Sequence, residues 1–270
     1  MNTLSLVLRD SATMLRRDFI HSLRNFAMTL SGLLTPTIML LLFNYVYGGA
    51  MGAGLGGAAH SGAYINYLAP GILIMTVGAG CETTAINLVM DMGEGIIARF
   101  RTMAISRASV LTGTVIGSLI RTITSVVVVT VVALLIGFRP TPHPVAWIEA
   151  LALVALIALG VTWMGVVFGL IGKTPAGANS LALMFLLLAF TSSAFVNPDT
   201  MPVGVRQFAE YQPFTPVIDT LRGLLLGTPI SNSSLLLAVA WSIGLSLVGY
   251  FWARAIYDRN AVAYNLLATR

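Results

Sequence analysis

Very few residues of this 270-residue chain could do chemistry together. Cys81 is its only cysteine, and the three histidines, His21, His60 and His143, lie far apart with no partner at metal-ligand spacing. The sequence also lacks the zinc-protease helix motif, the serine-nucleophile elbow and a pair of carboxylates in one loop. It therefore predicts a protein that hydrolyses nothing by itself.

One short stretch, Gly172-Lys173-Thr174, ends like the loop that holds nucleotide phosphates. The glycine that opens such a loop would stand at position 167, which is Val167, and an apolar helix rather than a strand precedes it. We therefore expect no nucleotide site and no bound cofactor in this chain.

Two ionisable residues, Glu82 and Arg121, lie within long apolar stretches. A charged side chain at the centre of a membrane helix costs about 2.5–3.5 kcal/mol on insertion scales, so it usually has a partner or a wet cavity. Similar depths on neighbouring antiparallel helices allow a Glu82–Arg121 pair. The stretch around Arg121 is longer than a bilayer requires, however, which favours an Arg121 side chain that snorkels to the inner interface.

The elements that carry these residues must lie in a membrane. Only 9% of the residues are charged, 57% are apolar and the mean hydropathy is +0.87, whereas about a quarter of a soluble domain is charged. This composition excludes a soluble enzyme. It also excludes a nucleic-acid-binding protein despite the net charge of +5, because basic residues collect in the cytoplasmic loops of membrane proteins.

Six stretches are long and apolar enough to cross a bilayer, which takes about 20 residues of helix. Their apolar residues run on without the alternation of barrel strands, so the predicted fold is an all-α integral membrane protein with six transmembrane helices. The predicted spans are 26–47, 66–90, 110–138, 146–172, 178–196 and 234–256.

The basic residues predict how these spans are oriented. Eleven Lys and Arg residues lie before the first span, after the second and fourth spans, and at the end of the sixth span or in the tail, against three in the segments on the other side. Because Lys and Arg collect on the cytoplasmic side, both termini are predicted to be cytoplasmic. The expected location is a membrane that the chain crosses several times.

Residues 1–25 have the pattern of a basic amphipathic helix. Apolar residues recur at steps of three and four from Leu4 to Phe26, and Arg residues occupy much of the other face. Such a helix is predicted to lie in the cytoplasmic membrane interface, with a solvated extension as the alternative. Residues 257–270 are predicted to form a cytoplasmic tail.

The connection between the second and third spans, residues 91–107, is too polar to be buried in lipid and more apolar than an ordinary solvent-exposed loop. An apolar stripe at helical spacing runs from Ile96 to Met103, beside Arg99 and Arg101. This pattern suits a short helix that docks into a groove on a partner protein. A helix lying flat on the membrane surface would show the same pattern.

The segment 197–230 holds five of the chain's eleven prolines. Two apolar pieces of helix length, 203–211 and 217–226, begin at prolines, and Gly227 followed by Pro229 is a stop signal. Two helices broken at 213–216 would form a hairpin that dips back into the bilayer, where it must be buried in protein or line a cavity. A pair of helices on the membrane surface is the plainer alternative.

Small residues at four-residue spacing indicate close helix packing. Gly113 with Gly117, and Gly165 with Gly169, would let two membrane helices approach each other closely. The spacing does not say which helices meet.

Three stretches resemble permease subunits of type-2 ABC exporters, most closely the daunorubicin-resistance-like drug exporters of actinobacteria. They are Tyr67-Leu-Ala-Pro70-Gly71-Ile, then Gly95-Ile-Ile-Ala-Arg99-Phe100-Arg101-Thr-Met-Ala104-Ile-Ser106-Arg107, and lastly Phe195-Val-Asn-Pro198-Asp-Thr-Met201-Pro202 continuing into Gln212-Pro213-Phe214-Thr-Pro216-Val-Ile-Asp219-Thr-Leu-Arg222-Gly-Leu. The likeness covers nearly the whole chain. The family usually has proline where this chain has Ala104.

The resemblance implies a six-span permease domain over 26–256, with an N-terminal interfacial helix, a cytoplasmic coupling helix at 91–107 and an extracellular re-entrant hairpin at 197–230. It also implies a complex of two permeases and two ATPase subunits, with ATP and Mg²⁺ bound by the ATPase. The residues implied to contact the ATPase are Glu94, Gly95, Arg99, Phe100, Arg101 and Arg107. Those implied for the external gate are Pro198, Pro202, Pro213, Phe214, Pro216, Asp219 and Arg222.

The predicted function is ATP-driven export by a permease that a separate ATPase energises. Apolar span faces favour a hydrophobic or amphipathic cargo over ions. The other expected partners are membrane lipid and a second permease subunit, identical or related. No nucleic acid is expected as a partner.

A secondary transporter or channel is the alternative. It would need several in-membrane carboxylates or histidines, and only Glu82 qualifies clearly, with Glu149 near the outer edge. A membrane-bound enzyme would need a polar cluster at one interface, and none is evident.

Overall fold

The protein is a bundle of helices. The computed structural model describes residues 26–48, 61–93, 107–140 and 143–268, and side chains within 34–48, 64–93, 112–140 and 143–257. Every regular element in these ranges is helical, which confirms the predicted all-α fold class. The α-helices are α1 (Phe26–Leu42), α2 (Ser61–Gly93), α3 (Arg107–Leu135), α4 (Pro144–Gly172), α5 (Pro175–Phe190), α6 (Val203–Tyr211), α7 (Phe214–Leu226) and α8 (Asn232–Ala268).

Four of these helices contain a stretch long and apolar enough to cross a membrane. They are Tyr64–Gly93, Thr112–Leu135, Pro144–Gly172 and Asn232–Tyr257, which match the second, third, fourth and sixth predicted spans. The first and fifth predicted spans correspond to the shorter apolar helices Leu34–Tyr47 and Pro175–Phe190. A π-helical turn, Phe43–Tyr47, continues α1 beyond Leu42.

The fifth predicted span ends too late. α5 stops at Phe190, six residues before the predicted end. The hydroxyl of Thr191 donates to the carbonyl of Leu188, and the hydroxyl of Ser192 donates to the carbonyl of Ala189. These hydroxyls occupy carbonyls of the last helical turn and so help to end the helix, although apolar residues follow in the chain.

The centre of the bundle is the contact between α2 and α4. A Cβ atom added to Gly165 would lie 2.7 Å from the carbonyl oxygen of Cys81, and one added to Gly169 would lie 2.8 Å from that of Ala85. Only glycine lets the two backbones come this close. The close packing predicted from Gly165 and Gly169 is confirmed, and α2 is the partner helix.

The stretch Gly172-Lys173-Thr174 reverses the chain between α4 and α5. Lys173 adopts a left-handed conformation with φ 54°, which ends α4. The Thr174 hydroxyl oxygen accepts the backbone N–H of Gly177 at 3.1 Å and so caps α5. Helix ending and capping therefore explain why glycine, lysine and threonine follow one another here, as they do at the end of a phosphate-binding loop.

The two helices of the predicted hairpin are present, with one boundary moved. α6 has the predicted bounds, whereas α7 begins at Phe214, three residues before the predicted start. Pro216 fits inside the first turn of α7 because the N–H groups there have no partner within the helix. Gly227, with φ 67°, ends α7 as the sequence predicts.

Candidate functional site

Arg222 on α7 bonds to three parts of the chain at once. Its Nη1 atom donates to Oδ1 of Asp219 at 2.8 Å, and its Nη2 atom donates to the carbonyl oxygen of Ser193 at 2.8 Å. Nε and Nη2 both donate to the carbonyl oxygen of Tyr67 at 3.3 Å. The guanidinium also lies 3.9 Å from the centroid of the Tyr67 ring, a cation–π contact. Arg222 therefore ties α7 to the start of α2 and to the segment after α5.

Ser193 completes this arrangement from the segment that follows α5. Its hydroxyl donates to Oδ1 of Asp219 at 2.7 Å, and its backbone N–H donates to the hydroxyl oxygen of Thr215 at 3.2 Å. Asp219 thus accepts two hydrogen bonds, one of them from a charged donor. We call these five residues, Tyr67, Ser193, Thr215, Asp219 and Arg222, the Arg222 network.

Close packing explains the glycine at position 71, in the motif that opens the second predicted span. A Cβ atom at this position would lie 2.7 Å from both the Cα and the carbonyl oxygen of Ala194. The segment after α5 therefore packs directly on the backbone of α2. Pro70, beside it, has no N–H to donate within the helix, so one hydrogen bond of α2 is missing at this level.

The corner between α6 and α7 lies beside the interior of two longer helices. Nε1 of Trp241 donates to the carbonyl oxygen of Tyr211 at 3.0 Å, and Trp241 is nine residues, about 14 Å, from the start of α8. The ring of Phe214 lies 5.5 Å from that of Phe185, five residues before the end of α5. The corner therefore sits well below these ends of α5 and α8.

The residues predicted for an external gate fall into two groups. Pro213, Phe214 and Pro216 are buried at the start of α7, and Asp219 and Arg222 belong to the Arg222 network. Pro198 opens a 3-10 turn before α6, and Pro202 is exposed immediately before that helix. The structure thus brings the α7 residues together and leaves Pro198 and Pro202 on the connection that leads into α6.

α6 carries an exposed ion-pair cluster of its own. Arg206 contacts the carboxylates of Asp199 and Glu210, each at 2.6 Å. The hydrogen bond to Glu210, followed by the charges of Asp199 and Glu210, raises the pKa of Arg206 above its ordinary value. Solvent screens such exposed pairs, so we assign this cluster little stabilising effect.

Glu82 and Arg121 lie on neighbouring helices. Glu82 is half-buried on α2 and makes no ion pair with any residue that the structure describes. A Cβ atom on Gly80 would meet the side chain of Thr122, so Arg121 on α3 stands at a similar level. The structure therefore shows no ion pair between Glu82 and Arg121, and the favoured snorkelling of Arg121 to the inner interface stays a prediction.

The predicted ATPase contacts fall almost wholly outside the described residues. This holds for Glu94, Gly95, Arg99, Phe100 and Arg101, and for the interfacial helix predicted at 1–25. Arg107 is the first residue of α3, but its side chain is not among those described. All of these assignments stay predictions.

Sequence reasoning missed Ser193 as a member of the site. It lies inside an apolar stretch that hydropathy reads as a span, and the available signal was the run of hydroxyl residues Thr191-Ser192-Ser193. Tyr67 belongs to the motif that opens the second predicted span, but its contact with Arg222 has no signal in the sequence. Among the described residues no group of three His, Cys, Asp or Glu side chains could hold a metal ion.

The chain is similar to known membrane transport proteins over most of its length. Residues 10–226 match the family model described as ABC-2 type transporter. A protein of Streptomyces coeruleorubidus named "Daunorubicin resistance ABC transporter permease protein" is 26% identical over 215 residues, which are 79% of this chain and 71% of that protein. A protein of Mycobacterium tuberculosis named "Probable doxorubicin resistance ABC transporter permease protein" is 21% identical over 228 residues, which are 83% of this chain and 79% of that protein.

The family match covers most of the chain and includes the motif of α2, the Arg222 network and both helices of the hairpin. The four long apolar helices agree with it, since permeases of this kind are membrane proteins. The chain therefore belongs to the ABC-2 type transporter family of membrane permeases.

Proposed function

We infer that this chain is the permease subunit of an ATP-driven ABC exporter, and that it moves a hydrophobic or amphipathic compound out across a bacterial plasma membrane. The names of the two relatives described above support a transport role, since both are called permease proteins of ABC transporters and both names refer to drug resistance. The wide apolar faces of α3 and α8 that are exposed in the described part of the chain support immersion in lipid.

The observation that carries this proposal is the burial of α7 within the bundle. α7 has 13 residues, too few to cross a bilayer, yet most of them are buried, and it packs on α2, α4 and α8. Helices that do not span are tolerated at membrane depth where protein buries them. In this proposal α6 and α7 form a re-entrant hairpin that closes the external end of the path.

Six spans follow if α1 and α5 are counted with the four long helices. α1 and its π-helical continuation cover 22 residues, Phe26–Tyr47, or about 33 Å. α5 covers only about 24 Å, and the corner of the hairpin packs beside its last turns, where it fills the remaining depth. An even number of spans puts both termini on the same side of the membrane, and the distribution of Lys and Arg favours the cytoplasmic side. In this proposal the interfacial helix lies at 1–25 and the tail at 257–270.

The energy comes from a separate ATPase in this proposal. The connection between α2 and α3 forms the coupling helix, which is shorter than the predicted range 91–107 because α2 continues to Gly93 and α3 begins at Arg107. The residues proposed to contact the ATPase are Glu94, Gly95, Arg99, Phe100, Arg101 and Arg107. Two permeases and two ATPase subunits make the working complex, and ATP and Mg²⁺ bind to the ATPase. ATP binding moves the permease pair between inward-facing and outward-facing states because it stabilises one state more than the other.

Transport by the purified complex tests this function. The permease and its ATPase subunit are reconstituted in inside-out vesicles, and uptake of the hydrophobic dye Nile red and of the cationic dye rhodamine 6G is followed with and without ATP. The expected result is uptake that needs both ATP and the ATPase subunit. Uptake by the permease alone, driven by a proton gradient, would establish the secondary transporter instead.

A further inference from the structure

α2 is enclosed along its first half and open along one face of its second half. Every residue from Leu68 to Gly78 is buried. Between Ala79 and Met90 the partly or fully exposed residues other than Gly80 recur at three- and four-residue spacing, before the exposed last turn of the helix. They are Ala79, Glu82, Thr83, Ile86, Asn87 and Met90, and this spacing places them on one side of the helix. We call these six residues the open face of α2.

Neighbouring helices occupy the other side of α2 at the same level. Gly80 approaches Thr122 of α3, Gly78 approaches Leu186 of α5, and the backbone of Cys81 lies against Gly165 of α4. At about 100° of rotation per residue, these contacts fall within one half of the helix circumference and the open face falls within the other half. The open face is therefore a distinct surface and does not arise from loose packing all round.

The open face combines polar and apolar side chains in a way that lipid alone does not explain. Glu82 offers a carboxylate that makes no ion pair with the described residues, and Asn87 offers an amide. The apolar residue Ile86 lies between Glu82 and Asn87 in the chain, and Met90 follows Asn87. A carboxylate within a membrane span generally faces a protein partner or a water-filled path, where it can serve as the counter-charge for a ligand.

We propose that the open face of α2 is a cargo-binding surface, and that the Glu82 carboxylate binds the positive charge of a hydrophobic cation such as a protonated amine. This proposal deepens the proposed function and rests on it. The carboxylate supplies a charge-assisted contact to the cation. Ile86 and the flexible Met90 contact the apolar body of the molecule, and the Asn87 amide oxygen accepts a hydrogen bond from an ammonium group.

The position of Glu82 fits a route that begins in the cytoplasm. It lies eleven residues before Gly93, or about 17 Å from the end of α2 that the proposed orientation places at the cytoplasmic side. The enclosed first half of α2 and the Arg222 network lie beyond it. A cation that enters from the inner side therefore reaches Glu82 before it reaches the closed part of the bundle.

Binding to the detergent-solubilised permease tests the proposal without any transport step. The probes are rhodamine 6G, a hydrophobic cation, and Nile red, an uncharged dye, each followed by fluorescence polarisation. Glu82→Gln keeps the size of the side chain and removes its charge. We expect this variant to bind rhodamine 6G at least tenfold more weakly and Nile red within twofold of the parent, while Glu82→Asp retains most of the rhodamine 6G affinity.

Glu149→Gln is the matched control, since Glu149 is an exposed carboxylate near the start of α4. It should bind both dyes as the parent does. Unchanged rhodamine 6G binding by Glu82→Gln would overturn the proposal, and so would an equal loss of both dyes, which would make Glu82 a structural residue. The vesicle experiment is separate, because cation binding that depends on Glu82 without ATP-dependent uptake would contradict the proposed export and leave the binding site standing.

Discussion

The guanidinium of Arg222 stacks on the ring of Tyr67 at 3.9 Å and donates to the carbonyl oxygen of the same residue, although 155 positions separate the two in the chain. This contact joins α7 to the first turns of α2. Arg222 is only 15% exposed, so any movement that separates the two helices must either move the charge into water or supply new acceptors. In the proposed exporter, opening of the external end has to break or carry along this contact.

Arg222→Ala should destabilise the permease by about 2–4 kcal/mol, because the change leaves the Asp219 carboxylate and two carbonyl oxygens without their charged donor. Arg222→Lys should recover only part of the loss, since an ammonium group cannot reach three acceptors in the plane of a guanidinium. The measurement is the thermal unfolding midpoint of the purified protein in detergent.

Arg206→Ala is the control for the loss of an arginine. Arg206 also contacts two carboxylates, but it lies on the exposed helix α6. Its replacement should leave the unfolding midpoint unchanged. Equal midpoints for Arg206→Ala and Arg222→Ala would refute a stabilising role for the Arg222 network.

Gly71→Ala should destabilise the protein by about 1–3 kcal/mol, because the new methyl group would overlap the backbone of Ala194 and neither backbone can move without disturbing the bundle. Gly244→Ala on α8 is the matched control, since a Cβ atom there meets nothing within 4 Å. The control should be as stable as the parent or more so. If both variants unfold at the parent's midpoint, Ala194 does not pack on α2 as described.

The sequence predicts the helices of this fold far better than it predicts their contacts. Hydropathy and proline positions locate α6 within its observed bounds and α7 to within three residues, because each depends on local chemistry. The predicted end of the fifth span lies too far along the chain because a hydropathy window averages Ser192 and Ser193 with the apolar residues around them. A hydroxyl that bonds back to its own helix is visible only in three dimensions.

The sequence likewise indicates some residues of the candidate site and not others. Asp219 and Arg222 could be selected by their motif, and their three-residue spacing on a helix already favours an ion pair. Tyr67 and Ser193 join them through carbonyl oxygens and a hydroxyl, and no local pattern indicates which distant backbone atom will be in reach. Likewise Gly165 and Gly169 predict a close approach, but only the structure identifies α2 as the partner.

Exchange of Glu82 and Arg121 separates cargo binding from an internal ion pair. If Glu82 binds cargo, the variant Glu82→Arg should lose rhodamine 6G binding, and addition of Arg121→Glu should not restore it, because the carboxylate would then project from α3. The direction of the side chain supports this expectation, since Glu82 is about 200° around α2 from Gly80, which faces α3. Recovery of stability and binding in the double variant would establish the ion pair.

Phe100→Asp should abolish the stimulation of ATPase activity by cargo and leave the fold of the permease intact. The coupling helix proposed between α2 and α3 presents Phe100 at the centre of its apolar stripe, and a carboxylate there cannot enter an apolar groove on the ATPase without losing its hydration. The measurement is ATP hydrolysis by the reconstituted complex with and without rhodamine 6G, beside the unfolding midpoint of the permease.

Thr102→Asp is the control variant. It adds the same charge about 200° around the helix from Phe100, so it should keep the stimulation of ATPase activity by cargo. If Phe100→Asp retains full stimulation, residues 91–107 do not couple the permease to its ATPase, and a helix lying flat on the membrane surface becomes the better account of this segment.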